Sequence, residues 1–261
     1  MLVITSAHSR FVTGLMIPTR KTEDLLLGTW ELLQQIGAVP RRFIWDNEPG
    51  IGRGQRRAEG VASLMGTLAA KLVLLPPRDP ESKGIVERRN GWFETSFMPG
   101  RTFASPSDFN EQFTEWLQLA NARTVRTMKT SPSRRIDTDQ AAMPPLPPVP
   151  LHLGWRNRVR LGRDYYVRID TNDYSVDPRA VGRLVDVSAD LDRVRVRVDG
   201  RLVAEHARVW ARGMTITDPT HLKAAKALRE QFRAPRSVAA GDDLVRDLAD
   251  YDRAFGIGGG F

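Results

Sequence analysis

Five of the eight residues from Met143 to Pro150 are prolines, and such a run can neither continue a helix nor sit inside a sheet. It is expected to be a stiff, extended linker. The patterning on its two sides differs in kind. Before it, apolar residues recur at helical spacing between short apolar runs. After it, apolar and polar residues alternate with the two-residue period of strands. An α/β unit followed by a small all-β unit is the expected division. No apolar run approaches the ~18 residues of a membrane span, so no membrane partner is expected. The chain has no cysteine and only four scattered histidines, which excludes disulfides and thiolate sites and argues against zinc. A cytoplasmic location is the default for such a chain.

The first unit reads β-β-α-β-α-β-α. Leu2 to Thr5 and Phe11 to Ile17 predict a hairpin, with His8 a turn or edge residue rather than a base. Thr19 to Ile36 predicts a helix with Thr22 as its cap, Gly37 ending it and Pro40 blocking continuation. Phe43 to Asp46 follows as a short strand, buried by its composition. Glu48 to Arg57 is a cationic, glycine-rich loop that either contacts phosphates or is a solvated connector. Glu59 to Ala70 predicts a helix and Leu72 to Leu75 another buried strand. That strand breaks at Pro76-Pro77-Arg78-Asp79-Pro80. There Asp79 is a good N-cap and Pro80 suits the first helical position. Val86, Phe93 and Phe97 then share one side of a helix, and Lys83, Glu87, Asn90 and Glu94 the other. Ser107 to Ala122 is an amphipathic helix, and Arg123 to Arg135 is basic and polar.

Two carboxylates in this order suggest chemistry. Asp46 ends a strand, and Glu87 lies on the helix after the next strand. Hard cations such as Mg²⁺ take a few carboxylates plus water and substrate phosphate, and phosphoryl transfer uses such ions to activate one oxygen and stabilise another. A glutamate flanked by Lys and Arg on a helix is more often a solvated ion-pair residue; its pairing with Asp46 is what favours the functional reading. An unrelated metal-dependent nuclease would need a further acid, for which Asp24 and Glu48 are the nearest candidates.

The second unit predicts strands over Val159–Leu161, Tyr165–Ile169, Tyr174–Val176, Leu184–Ser188, Arg193–Val198 and Arg201–His206. Asp199-Gly200 is a two-residue hairpin signal between the last two. So many short strands in so short a stretch suggest a small barrel. Trp155 to Arg212 holds 13 arginines, no lysines and 9 acids, a net of +4. Arg193, Arg195 and Arg197 line one strand face, which either tracks a phosphate backbone or protects an edge strand by charge. The whole chain carries +8 with a pI near 10.3, which favours polyanion partners but also fits a merely arginine-rich surface. Helices are expected over Thr220–Phe232 and Asp242–Phe255, with a disordered tail from Gly256.

Phe43-Ile44-Trp45-Asp46-Asn47, the segment from Pro76 to Gly91 and Ser96 to Arg101 resemble transposases of the insertion-sequence-21 type (IstA-like). These lie within the integrase superfamily, whose catalytic core is ribonuclease-H-like. The resemblance continues into the arginine-rich strands, which are similar to the small β-barrel domain of Mu transposase. It implies a partial catalytic core over 1–125, a basic and proline-rich linker over 126–150, a barrel over 151–215 and C-terminal helices with a tail over 216–261. It further implies that Asp46 and Glu87 are the second and third acids of an Asp-Asp-Glu triad binding Mg²⁺ or Mn²⁺. Lys83, Arg88 and Asn90, with Arg193, Arg195 and Arg197, would contact DNA. The family's first Asp lies on a strand that would precede Leu2, so the chain is expected to be N-terminally truncated. The implied partners are transposon-end and target DNA, an ATPase helper of the same element and other copies on DNA, at the nucleoid. The expected activity is 3′-end cleavage and strand transfer. The alternative is a catalytically inactive DNA-binding remnant or regulator.

Overall fold

The structure, a computed structural model, describes residues 1–46, 48–53, 56–75, 92–148, 153–233 and 255. It is a mixed α/β protein. The expected hairpin opens it: β1 (Leu2–Thr5) runs antiparallel to β2 (Val12–Leu15), with Leu2 opposite Leu15. Under it lies α1 (Thr22–Ile36), in which Leu32 and Leu33 are wholly buried. Close packing there depends on Gly28, where an added Cβ would meet Ile17 Cγ2 at 2.9 Å and Leu2 Cδ2 at 3.1 Å. Thr22 does not cap α1 as expected. Lys21 takes the N-cap position, while Thr19 Oγ1 accepts the Lys21 N–H at 3.1 Å and donates to Asp24 Oδ2 at 2.6 Å. Gly37 closes the helix at φ +77°, donating its N–H to Leu33 O.

β3 (Arg42–Trp45) follows, then the two-residue pair β4 (Gly52–Arg53) and β5 (Arg56–Arg57), α2 (Val61–Thr67) and β6 (Lys71–Leu74). The loop expected at 48–57 thus contains a miniature hairpin. β3 and β6 pair in parallel across the α2 crossover, Trp45 opposite Leu74. β3 is not buried throughout. Phe43 is in the core, but Ile44 is 60% exposed, because α1 and α2 supply the packing for one face of this pair.

Aromatic side chains make a second core. Residues 92–96 are helical, and Phe93 and Phe97 pack against α3 (Pro106–Ala122), edge-on to Phe113 and Phe109 at 5.4 Å each. Ser105 caps α3 by accepting the Asp108 N–H. Two asparagines of α3 then pair with the backbone beside β2. Asn121 accepts from Val12 N–H at 3.0 Å and donates to Val12 O at 2.8 Å; Asn110 does the same at Met16. Side-chain amides thereby occupy peptide groups that a neighbouring strand would otherwise take.

The stretch expected as linker is partly helical. Ser131-Pro132 starts α4 (Pro132–Ala142), which docks through Gln140 on Ile36 O and through buried Asp139 on Ser6 and His8. Pro144 O accepts the Val39 N–H, and Met143 and Leu146 join the first core. Pro144 and Pro145 thus lie along the body, beside Ala38 and Val39.

The second half contains β7 (Trp155–Arg160), β8 (Tyr166–Ile169), β9 (Asn172–Ser175), β10 (Leu184–Ala189), β11 (Arg193–Val198), β12 (Arg201–Ala207), β13 (Thr215–Ile216) and α5 (Pro219–Arg233). They form a four-stranded antiparallel sheet, β12-β11-β10-β7, and a three-stranded sheet, β13-β9-β8. A valine-rich core lies between them. Asp199 and Gly200, at φ +48° and +80°, make the expected tight turn. α5 is pinned from beneath: His221 Nδ1 meets Ser175 Oγ at 2.9 Å, and His206 Nε2 donates to Ser175 O. The helix expected over Asp242–Phe255 lies outside the described residues except for Phe255.

The halves are joined by Arg208. Its guanidinium donates to Asp24 Oδ1 at 2.7 Å and Oδ2 at 3.1 Å, and to Asp170 Oδ2 at 3.1 Å, with 4% of the Arg208 and 2% of the Asp24 side chain exposed. Burial alone would lower the Arg208 pKa; hydrogen bonds to the two carboxylates outweigh it and raise it. Arg208→Ala leaves Asp24 buried and uncompensated, so urea denaturation should show a loss of about 3–5 kcal/mol, much of it regained in an Asp24→Leu/Arg208→Met double variant. A pH series tests the α5 anchor. Burial pushes the His221 pKa below its ordinary 6.5, with His206 adding to the shift and Asp218 and Asp177 opposing it. The unfolded chain therefore binds that proton more readily. Stability should be full above about pH 6.5 and fall as pH drops below it, and His221→Gln should flatten that part of the curve.

Candidate active site and nucleic-acid interface

Asp46 follows directly on the last residue of β3, as the sequence suggests, and is exposed. Because β3 and β6 are parallel, their C-terminal ends lie side by side; Leu75 N–H donates to Trp45 O at 2.9 Å. The chain leaves β6 at the edge where Asp46 stands. Lys83, Glu87, Arg88 and Asn90 lie outside the described residues. Beyond them, residues 92–96 form a helical turn that Phe93 and the following Phe97 hold to α3.

The two alternative acids are committed elsewhere. Asp24 is bound by Arg208 and Thr19, and Glu48 pairs with Arg20. Among the described residues, no three histidine, aspartate or glutamate side chains are grouped to hold a metal ion. Asp46 brings the hard oxygen that Mg²⁺ prefers, and Glu87, the acid expected to join it, lies outside the described residues.

A cavity of about 950 Å³ opens beside this edge. Arg20, Lys21, Trp45 and Glu48 line it from the first half and Trp210 and Arg212 from the second. Sequence reading could not find it, since the lining residues are more than 150 positions apart in places. Its charges are largely engaged: Lys21 with Asp170 at 2.6 Å, and Arg20 with Glu48.

Arg193, Arg195 and Arg197 do share one face of β11, opposite the buried Val194, Val196 and Val198. β11 is not an edge strand, however. It lies between β10 and β12, so protection of an edge does not explain its arginines. Arg195 is tied to Asp190 at 2.5 Å and to Glu205 at 2.7 Å, and the Asp190 bond leads in raising its pKa. Arg193 stands 3.8 Å from Glu205.

Because Asp46 is exposed at a strand end, Asp46→Asn should change folding stability by no more than about 1 kcal/mol, the worth of an exposed charged contact. Chemical denaturation of the variant checks this, and an unchanged midpoint makes any functional loss attributable to the carboxylate.

Residues 146–218 match the family described as Mu transposase, C-terminal domain. The transposase for insertion sequence element IS21 of Pseudomonas aeruginosa is 30% identical over 148 residues, 56% of this chain and 38% of that protein. A transposase for insertion sequence IS1162 of Pseudomonas fluorescens is 26% identical over 94% of this chain and 45% of its own length. One for IS408 of Burkholderia multivorans is 28% identical over 94% and 50%. The chain thus spans half or less of the length of these relatives. Among solved structures, a simian T-cell lymphotropic virus intasome aligns at a TM-score of 0.43 and 16% identity, over 80% of this chain and 69% of that one, which falls short of establishing a common fold. In sequence, this chain is similar to transposases of bacterial insertion sequences, that of IS21 among them.

Proposed function

We propose that this chain acts in DNA transposition, as part of a ribonuclease-H-like, Mg²⁺-dependent strand-transferring enzyme. The observation that carries the reading is the similarity to insertion-sequence transposases along nearly the whole chain, with Asp46 at the carboxyl end of a parallel strand. Substrate sites in open parallel sheets lie at those ends. In this reading residues 1–125 belong to the catalytic core, 126–150 connect it, 151–215 form a small barrel and 216–261 complete the C-terminal side. Asp46 and Glu87 hold the Mg²⁺ or Mn²⁺. The ion supplies Lewis acidity at the scissile phosphate and a more acidic oxygen nucleophile. The chain's own residues do the rest: the carboxylates would orient the ion, Lys83, Arg88, Asn90, Arg193 and Arg197 contact DNA, and Arg195, held by Asp190 and Glu205, positions the strand face. Element ends and target DNA are the substrates, with an ATPase helper and further copies of the chain as partners at the nucleoid.

A second reading, DNA binding without catalysis, is favoured by one observation: neither β1 nor β2 carries an aspartate or glutamate that could join Asp46 as a further metal ligand. Strand transfer on labelled element-end DNA with Mg²⁺ separates the two. Asp46→Asn and Glu87→Gln should each lower the rate by more than the roughly 10–100-fold that altering a metal's outer-shell partners costs. Rates near zero for the unaltered chain and both variants, with duplex binding retained, would establish the binding-only protein.

A further inference from the structure

The sheet register places more arginines on one surface than β11 alone provides. Arg156, Ser188, Arg195 and Glu205 lie in one row across β7, β10, β11 and β12, and Arg158, Asp186, Arg197 and Leu202 in the next. Arg160, opposite Leu184, and Arg193, opposite Ala207, extend it at two corners. Directly opposed residues of an antiparallel pair project to the same side. The other side of these strands carries Val185, Val187, Val194, Val196 and Val198 in the core, so the arginine rows face outward. Alternate residues of a strand are about 6.7 Å apart, and β7 and β11, separated by β10, about 9.6 Å apart. The result is two rigid files of guanidinium groups.

We propose that this outward sheet face docks the phosphate backbone of duplex DNA, with Arg156 and Arg158 of β7 and Arg197 of β11 as contacts. The proposal rests on the reading of DNA as substrate but needs neither Asp46 nor Glu87. Three observations support it. The second half uses arginine and no lysine between Trp155 and Arg212, and a planar guanidinium binds phosphate through two parallel hydrogen bonds. Among the described residues, no ion pair involves Arg156 or Arg197, whereas Arg158 has only a 3.4 Å contact to Asp186, both side chains being more than half exposed. The remaining arginines of this face are engaged: Arg195 by Asp190 and Glu205, Arg193 by Glu205 at 3.8 Å, and Arg160 by the carbonyl of Gly182. Arg195 is therefore a positioning residue. It fixes Glu205 and the Asp190 turn, and phosphate binding passes to its neighbours.

Fluorescence anisotropy with the full chain and a labelled duplex of arbitrary sequence tests this. The Arg156→Gln/Arg158→Gln/Arg197→Gln variant should bind at least about tenfold more weakly, and the slope of log affinity against log salt should fall by about 2–3, roughly 0.9 for each phosphate no longer neutralised. Glu205→Gln, which frees Arg193 and leaves Arg195 held by Asp190 alone, should tighten binding. An unchanged thermal melt of the triple variant keeps a binding loss from being read as unfolding. The same affinity and slope in the triple variant and the unaltered chain would overturn the surface alone. Equal loss of polyglutamate binding at matched charge would overturn its assignment to DNA. Failure of the unaltered chain to bind duplex at all would overturn the surface together with the reading beneath it.

Discussion

Arg208 lies between the two halves of the chain with almost none of its side chain in water, facing Asp24 on one side and Asp170 on the other. A lone buried guanidinium or carboxylate would be strongly destabilising, so each of these groups is tolerable only while the others are in place. Asp24 is doubly supported, since it sits in the first turn of α1, where unpaired N–H groups favour negative charge, and Thr19 donates to it. The relative placement of helix α1 and the arginine-rich sheets follows from this contact. So does the cavity between Trp45 and Trp210, whose walls come from both halves.

Two further devices complete the first half. Asparagines of α3 take the place of a neighbouring strand beside β2, and aromatic rings hold residues 92–97 against the same helix. That helix therefore links the opening hairpin to the end of the segment in which Glu87 is encoded. α4 then straps the hairpin turn and the end of α1 together, through Asp139 and Gln140.

Much of this architecture is legible in the sequence, and for identifiable reasons. Strand alternation in the second half, the Asp199-Gly200 turn and the Gly37 helix stop are local effects, encoded within a few residues of where they act. Asp46 at the end of β3 is legible for the same reason. Non-local choices are not. Ile44 looks like core but is exposed, because the covering helices pack the other face of its strand. Ser131-Pro132 is a helix start that the surrounding basic residues mask. Arg195 resembles a free cation in sequence, and only Glu205, on the adjacent strand, and Asp190, across a turn, show that it is engaged.

By itself the sequence determined the periods of its elements, their turns and stops, the net positive charge and the placing of one acid at a strand end. Tertiary structure decided which charges are spent on one another and which remain for a partner. Asp24 and Arg208 are 184 residues apart, and Arg156 and Arg197 reach a common face only through the register of the β10 strand between them. Ion pairing and sheet register depend on distances through space, which no local pattern of residues carries.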